Sequence, residues 1–418
     1  MKQVLERIDA EPRLARRIAA AVCVAVAVAR VVLALATPAP DLTPDGVGYD
    51  DAARRIIRDG YYAWVYAGDV VDRPAPNAMQ LPGYPYFLAG VYGLAGGASV
   101  AAQPLVSVVQ AVLSALTLWG VFLLASRLGG SRAGVLAALL GAAYVPLWFS
   151  YRYVLTEDLF AALCVWTAVC ALTGLDATGR GRVGAFALSG LLAAAATYVR
   201  AASALWLVSV GVLLILCDRA GRRQHLRDAA VVSLVLAACM APWWIRSAGI
   251  YGTFVPFNTL ASTGALVAAH DDPEGLAADL ASLHHGHLEP SEELAYNRQI
   301  AALARDRTRE ALAADGLSEV WRRARQLAIS LFTYHPNPWN GFTGWGALVE
   351  AVHLGVLALA ARGAWRFRHS AGMVVLLALP LALVGLHAAT LAFSRYFLPM
   401  MPIVTAIAAL GAVPAPRR

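Results

Sequence analysis

Apolar runs about as long as a bilayer is thick alternate with short polar connections along most of the chain. A window of about 19 residues marks spans near 18–37, 104–126, 133–149, 156–175, 183–199, 201–217, 229–245, 343–361, 370–391 and 397–413. Ten spans put both ends of the chain on one side of the membrane. Two connections are long, 38–103 and 246–342, and both fall on the opposite side within a single transmembrane domain covering 1–413. In the first, Tyr49, Ala52, Ala53, Ile56, Ile57 and Gly60 recur at helical spacing, while Asp50, Asp51, Arg54, Arg55 and Arg58 take the other face. That spacing predicts an amphipathic helix lying in the interface. Tyr84 to Leu94, after the Pro82-Gly83-Tyr84-Pro85 turn, is apolar but too short to span, so it too is expected to lie flat.

The connections orient the spans. Arg127 and Arg132, Arg180 and Arg182, Arg219 to Arg227, Arg362 to Arg368, and finally Arg417 and Arg418 all fall on one side. Short cytoplasmic connections collect arginine and lysine, so this side is inside and both termini are cytoplasmic. Lys2, Arg7, Arg13, Arg16 and Arg17 precede Ile18 to Ala36 as a signal peptide's basic segment would, but that apolar run is long enough to span and is read as an uncleaved first helix.

Composition fixes the class: 59% of residues are hydrophobic, 15% are charged, and mean hydropathy is +0.58, against roughly 25% charged in soluble domains. All but one of the 34 Lys and Arg residues are arginines, the exception being Lys2, so the net charge of +7 reads as a compositional bias and not as a nucleic-acid signal. The five cysteines, Cys23, Cys164, Cys170, Cys217 and Cys239, lie inside apolar runs and act as small hydrophobes.

Charged residues at span ends on the outer side carry the candidate chemistry. Asp45 follows the first span in Thr43-Pro44-Asp45-Gly46. A carboxylate near lipid is a candidate general base, although a turn or N-cap aspartate is the plainer account. Glu157 and Asp158 open the fourth span after Thr156, where acids suit the helix dipole. Their functional alternative is to orient an acceptor or a divalent cation, Mg or Mn, opposite Asp45. Arg200, Arg246 and Arg395 form a candidate phosphate clamp, because guanidinium is permanently charged and bidentate toward phosphate; snorkelling to the interface is the competing reading of each alone. Tyr49, Tyr84, His335 and Tyr396 are candidate lining residues, and His284, His285 and His287 with Glu289 read as a solvated loop.

The ordered segments resemble the GT-C superfamily of membrane glycosyltransferases, specifically the dolichyl-phosphate-mannose protein mannosyltransferase and ArnT-like group. The resemblance is carried by Pro44-Asp45 with Tyr49, by Leu81-Pro82-Gly83-Tyr84-Pro85, and by Leu155-Thr156-Glu157. Thr197-Tyr198-Val199-Arg200, Pro242-Trp243-Trp244-Ile245-Arg246 and Ser394-Arg395-Tyr396-Phe397 complete it, so that it runs from about residue 40 to about 405. It implies an all-α GT-C-like bundle in the bacterial inner membrane, with its site on the periplasmic face. It also implies a polyprenyl-phosphate sugar donor, undecaprenyl phosphate among the carriers, and a glycan, lipid or protein hydroxyl as acceptor. Asp45 would be the base, Glu157 or Asp158 the second acidic position, and Arg200, Arg246 and Arg395 the phosphate-facing residues. One departure is that the outer loops hold no lysine. A flippase of a lipid-linked sugar is the alternative from another class; it predicts charges spread through the membrane depth and an inverted repeat.

Overall fold

Glu11 precedes Pro12, whose ring is preset for a helix start, and α1 (Pro12–Ala36) follows. The computed structural model describes residues 7–65, 71, 73–97, 103–218, 221–260, 262–270, 273–283, 289–333, 346–390 and 394–414, and all regular structure among them is helical. Val24, Val28, Val32 and Leu35 form an exposed stripe on α1, while Ala15, Ala19, Cys23, Val26, Arg30 and Ala34 are buried against the bundle. Such a division suits a peripheral span that meets lipid on one side and neighbours through small residues on the other.

α2 (Pro44–Asp59) is the amphipathic helix, begun by Thr43, whose hydroxyl accepts from Gly46 N at 3.1 Å, and ended at Gly60 with φ 76°. α3 (Gly83–Leu94) is the second helix of this connection, and on it Tyr84, Leu88 and Tyr92 are fully buried in the protein while Tyr86 and Leu94 are exposed. The polar tips of its buried tyrosines are satisfied. Tyr84 donates to Gln110 Oε1 at 2.9 Å and Tyr92 to Asp50 Oδ1 at 2.5 Å, partners that hydrocarbon does not supply.

α4 (Gln103–Ala143) holds two of the expected spans, joined at Gly130, whose φ of 80° breaks the helical geometry. Its second arm stops at Ala143, short of the predicted 149, because Pro146 has no N–H to continue the ladder; α5 (Leu147–Ser150) is a separate turn. Then come α6 (Glu157–Asp176), α7 (Gly179–Val199), α8 (Ala202–Cys217) and α9 (Arg222–Tyr251), followed by α10 (Thr263–Ala268) and α11 (Pro273–Leu283). α12 (Pro290–Phe332) bends at Asp315, and α13 (Gly346–Arg366) and α14 (Ala371–Ala389) precede α15 (Ser394–Phe397), a 3-10 turn at Leu398–Met400, and α16 (Met401–Ala412).

Eight of these helical stretches are long and apolar enough to cross a membrane, the last running Ser394–Ala412. Counting the two arms of α4 separately and adding the 16-residue α8 recovers the ten apolar segments expected. α1 packs on α4, α6 on α7, α9 on α7, α14 on α8, and α16 on both α4 and α13. The α13–α16 crossing is backbone to backbone. A Cβ on Gly363 would stand 2.1 Å from Ile407 O, and one on Gly411 2.0 Å from Leu359 O. The core lies around α4, α6, α14 and α16, where Phe160, Val165, Leu376, Leu379 and Ile403 are almost fully buried.

Candidate active site

Four charged side chains from distant parts of the chain meet at one end of the bundle. Glu157 occupies the first turn of α6, a position set by the start of an apolar run after Thr156. Arg200 caps α7 in extended conformation (φ −147°, ψ 125°), which frees its side chain to reach α6. Its Nε donates to Thr156 Oγ1 at 2.7 Å and its Nη2 to Glu157 Oε1 at 2.7 Å. Arg395, in α15, brings its Nε within 3.3 Å of the same Glu157 oxygen and donates through Nη2 to Asp45 Oδ2.

Exposure grades outward through this network. The Glu157 side chain is 3% exposed, Arg395 18%, Arg200 20% and Asp45 51%. The two acids and two arginines balance in charge, so the buried part is electrostatically compensated and Asp45 presents a carboxylate to the outside. Glu157 Oε2 is buried with no hydrogen-bond partner among the described residues. Tyr396 lies under both guanidiniums, 5.5 Å from that of Arg395 and 5.9 Å from that of Arg200, and stacks on His387 at 5.1 Å. Tyr49 packs edge-on to Trp64 and Tyr84 at 5.2 and 5.1 Å. Burial, and then the charge of Asp45, push the Tyr49 phenol well above its ordinary range. Tyr84 is pushed up likewise by burial.

Beside the network, α3, α6, α7 and α9 enclose a groove of about 650 Å³, whose lining includes Phe87, Leu159, Leu163, Tyr198, Trp243 and Arg246. Leu159 is two residues past Glu157, and Val199, which also lines the groove, immediately precedes Arg200. Arg246 lines the same groove but is held by partners other than those of Arg200 and Arg395. Its Nη1 donates to Asn77 O at 2.9 Å and its Nη2 to Tyr62 O at 2.8 Å, with the guanidinium over the Trp243 ring at 5.1 Å. Asn77 in turn ties the loop together, accepting from Trp64 N at 2.9 Å and donating to Trp64 O at 2.8 Å. Behind it Glu293 accepts from Tyr251 at 2.5 Å and from Thr259 at 2.8 Å. Burial raises the Glu293 carboxyl, against the lowering effect of those two donors.

The two acids at the start of α6 point apart. Asp158 turns into the bundle, where its Oδ1 accepts from Ser114 at 3.0 Å and Ser150 at 3.1 Å. Glu157 alone joins Asp45. Both of those carboxylates are committed to guanidiniums, and among the described residues no three His, Cys, Asp or Glu side chains converge as metal ligands. His335, His284, His285 and His287 lie outside the described residues. Sequence reasoning passed over Thr156, which shares Arg200 with Glu157, and over Tyr62, Asn77 and Glu293, which hold and back Arg246. Thr156 adjoins an acid at a span start and so carried a signal; the other three are set by contacts between distant segments.

Residues 72–245 match the family model described as dolichyl-phosphate-mannose-protein mannosyltransferase. Among curated protein sequences none matches the chain. Similar solved structures include ArnT from Cupriavidus metallidurans bound to undecaprenyl phosphate, 14% identical over 93% of this chain and 76% of that one, with a TM-score of 0.47. They also include the Archaeoglobus fulgidus oligosaccharyltransferase tethered with an acceptor peptide, 15% identical over 93% of this chain and 49% of that one, with a TM-score of 0.56. The same archaeal enzyme, AglB, in complex with an inhibitory peptide and a dolichol-phosphate gives 16% identity, the same coverage and a TM-score of 0.54. This chain thus spans about half the length of the archaeal oligosaccharyltransferase, and at such identities the likeness is one of fold. Residues 72–245 thus resemble the dolichyl-phosphate-mannose-protein mannosyltransferase family, and the chain as a whole is similar in fold to the archaeal oligosaccharyltransferase.

Proposed function

We propose that this chain is an inverting glycosyltransferase that moves a sugar from a polyprenyl-phosphate donor to a hydroxyl of a glycan, lipid or protein acceptor. The observation that carries the proposal is the convergence of Asp45, Glu157, Arg200 and Arg395 beside an apolar groove. Asp45 takes the proton of the acceptor hydroxyl, whose oxygen attacks the anomeric carbon. The bond from that carbon to the phosphate oxygen breaks, and the phosphate leaves with the electron pair. Inversion follows because attack comes from the face opposite the leaving group.

Arg395 and Arg200 stabilise the charge that grows on the phosphate, acting as preorganised donors. Until a donor arrives their charge is balanced by Asp45 and Glu157; the phosphate competes for Arg395 and releases Asp45 to act as base. Glu157 moves no proton here and holds both arginines in place. The groove accepts the first isoprene units of the lipid, and Arg246 closes its rim.

Sidedness supports an extracytoplasmic site. Arg127 pairs with Asp176 at 2.5 Å at the far end of α6 from Glu157, on the side where the arginine-rich short connections collect. In the bacterial inner membrane that assignment puts both termini in the cytoplasm and the reaction in the periplasm.

The test is to incubate purified protein in nanodiscs with a panel of undecaprenyl-phosphate hexoses and pentoses and to follow release of undecaprenyl phosphate by mass spectrometry. Release by the wild type and none by Asp45→Asn, with donor still bound, is the expected result. Transfer by Asp45→Asn at near wild-type rate would overturn the assignment, and passage of intact donor across a vesicle membrane without cleavage would replace it with a flippase.

A further inference from the structure

Arg30 sits on the inward face of α1 and is 2% exposed, a full charge among small apolar neighbours. Its guanidinium lies 5.1 Å from the Trp148 ring and 5.3 Å from that of Tyr151, and among the described residues its Nε has no hydrogen-bond partner. Asp158 is 7% exposed, and its Oδ2, unlike Oδ1, also has no partner. Both side chains line the same small void, with room for a water in about 20 Å³, together with Ser114 and Thr117 of α4 and Pro402 of α16. The void is far too small for a sugar or a lipid chain, and the mechanism proposed above uses neither charged group.

A buried guanidinium and a buried carboxylate are strongly unfavourable unless they are paired and hydrogen-bonded. A single water needs roughly 10–15 Å³ of probe-occupied space and two to four polar partners, and this void offers both. The Arg30 guanidinium donates, Asp158 Oδ2 accepts, and Thr117 Oγ1, which donates to Leu113 O at 2.8 Å, retains a lone pair toward a third hydrogen bond.

We propose that Arg30 and Asp158 form an ion pair bridged by one buried water, and that this pair positions the first turn of α6 and with it Glu157. The two acids are consecutive, so fixing Asp158 fixes the backbone from which Glu157 reaches the arginines. Ser114 and Ser150 pin Asp158 Oδ1 to α4 and α5, and the water ties Oδ2 to α1. Tyr151 adds a second tie to the same turn of α1, donating to Arg30 O at 3.0 Å. Arg30 is thus a positioning residue acting through Asp158. Its relevance to catalysis rests on the function proposed above, whereas the bridge itself does not.

High-resolution cryo-electron microscopy of the intact protein in nanodiscs tests the bridge. The expected result is a solvent peak at about 2.7–3.2 Å from both the Arg30 guanidinium and Asp158 Oδ2; a dry void, or direct contact between the two side chains, would overturn it. Thermal unfolding of Arg30→Met, Asp158→Leu and the double variant tests the coupling. Each single change is expected to lower the midpoint, and the double to recover a large part of the summed loss; additive losses would refute a shared interaction. A map of Arg30→Met tests the positioning role, with Glu157 expected to leave Arg395. A retained Glu157–Arg395 contact would refute that role. None of these readouts uses a sugar donor, so absence of transfer by the wild type would bear on the functional proposal alone.

Discussion

Replacing Glu157 with glutamine tests the arrangement where it is most buried. The change keeps shape and an acceptor oxygen but withdraws the charge that Arg200 and Arg395 share. A hydrogen bond to a charged group contributes about 1.5–3 kcal/mol, and the 2.7 Å contact to Arg200 belongs near the top of that range because the Glu157 side chain is 3% exposed. The 3.3 Å contact to Arg395 is longer and belongs near the bottom. Losing the charge also relieves the cost of burying it, which offsets part of the sum. The net destabilisation is therefore about 2–3 kcal/mol. Unfolding in mixed micelles, run as double-mutant cycles with Arg200→Gln and Arg395→Gln, separates the two contacts. A coupling below about 0.5 kcal/mol for Glu157 with Arg200 is indistinguishable from additivity and would refute the reasoning. So would a coupling to Arg395 larger than that to Arg200.

Asp45→Asn is expected to change stability by no more than about 1 kcal/mol, because a half-exposed ion pair contributes little; a thermal scan beside the transfer assay would expose a variant that fails only because it unfolds. Arg246→Ala should weaken binding of undecaprenyl phosphate and loosen the loop held through Tyr62 and Asn77, and unchanged affinity measured by native mass spectrometry would remove it from the donor site. Gly363→Leu should lower the melting temperature by overpacking the α13–α16 crossing, at a cost of at least about 1–3 kcal/mol; an unaltered midpoint would contradict that crossing. The Asp279 carboxyl is held below its ordinary range first by hydrogen bonds from Arg307, both at 2.9 Å. A lowered carboxylate contributes stability above its unfolded pKa and loses it as pH falls through the folded value. Amide-exchange protection in α11 and α12 should accordingly fall on acidification, and an equally steep acid limb in Asp279→Asn would refute the attribution.

How much of this was legible in the sequence depends on the range of the interaction concerned. The spans follow from local hydropathy, and the one boundary that differs has a local cause: Pro146 cut that span short. Asp45, Glu157, Arg200 and Arg395 could be named because each is a charge at the end of an apolar run on the same side. Their pairing could not, since it depends on how α6, α7 and α15 lean together. The same limit explains Arg246, grouped with the other arginines by side alone but held in the structure by carbonyls far away in sequence. Arg30 did leave a trace, as an arginine inside an otherwise apolar span; only its burial opposite Asp158 makes that trace meaningful.

Asp45 and Arg395 are 350 residues apart in the chain, whereas Glu157 and Arg200 are separated by 43. At about 5–20 residues per second, a ribosome delivers Arg395 some ~20–70 s after Asp45. During that interval the inner pair can form while the outward carboxylate has no guanidinium, so the nascent protein is inserted long before it is competent. Completion of the site thus reports that the helix carrying Arg395 has arrived and seated beside Asp45 and Glu157, which makes the contact between Arg395 and Asp45 a built-in check on assembly.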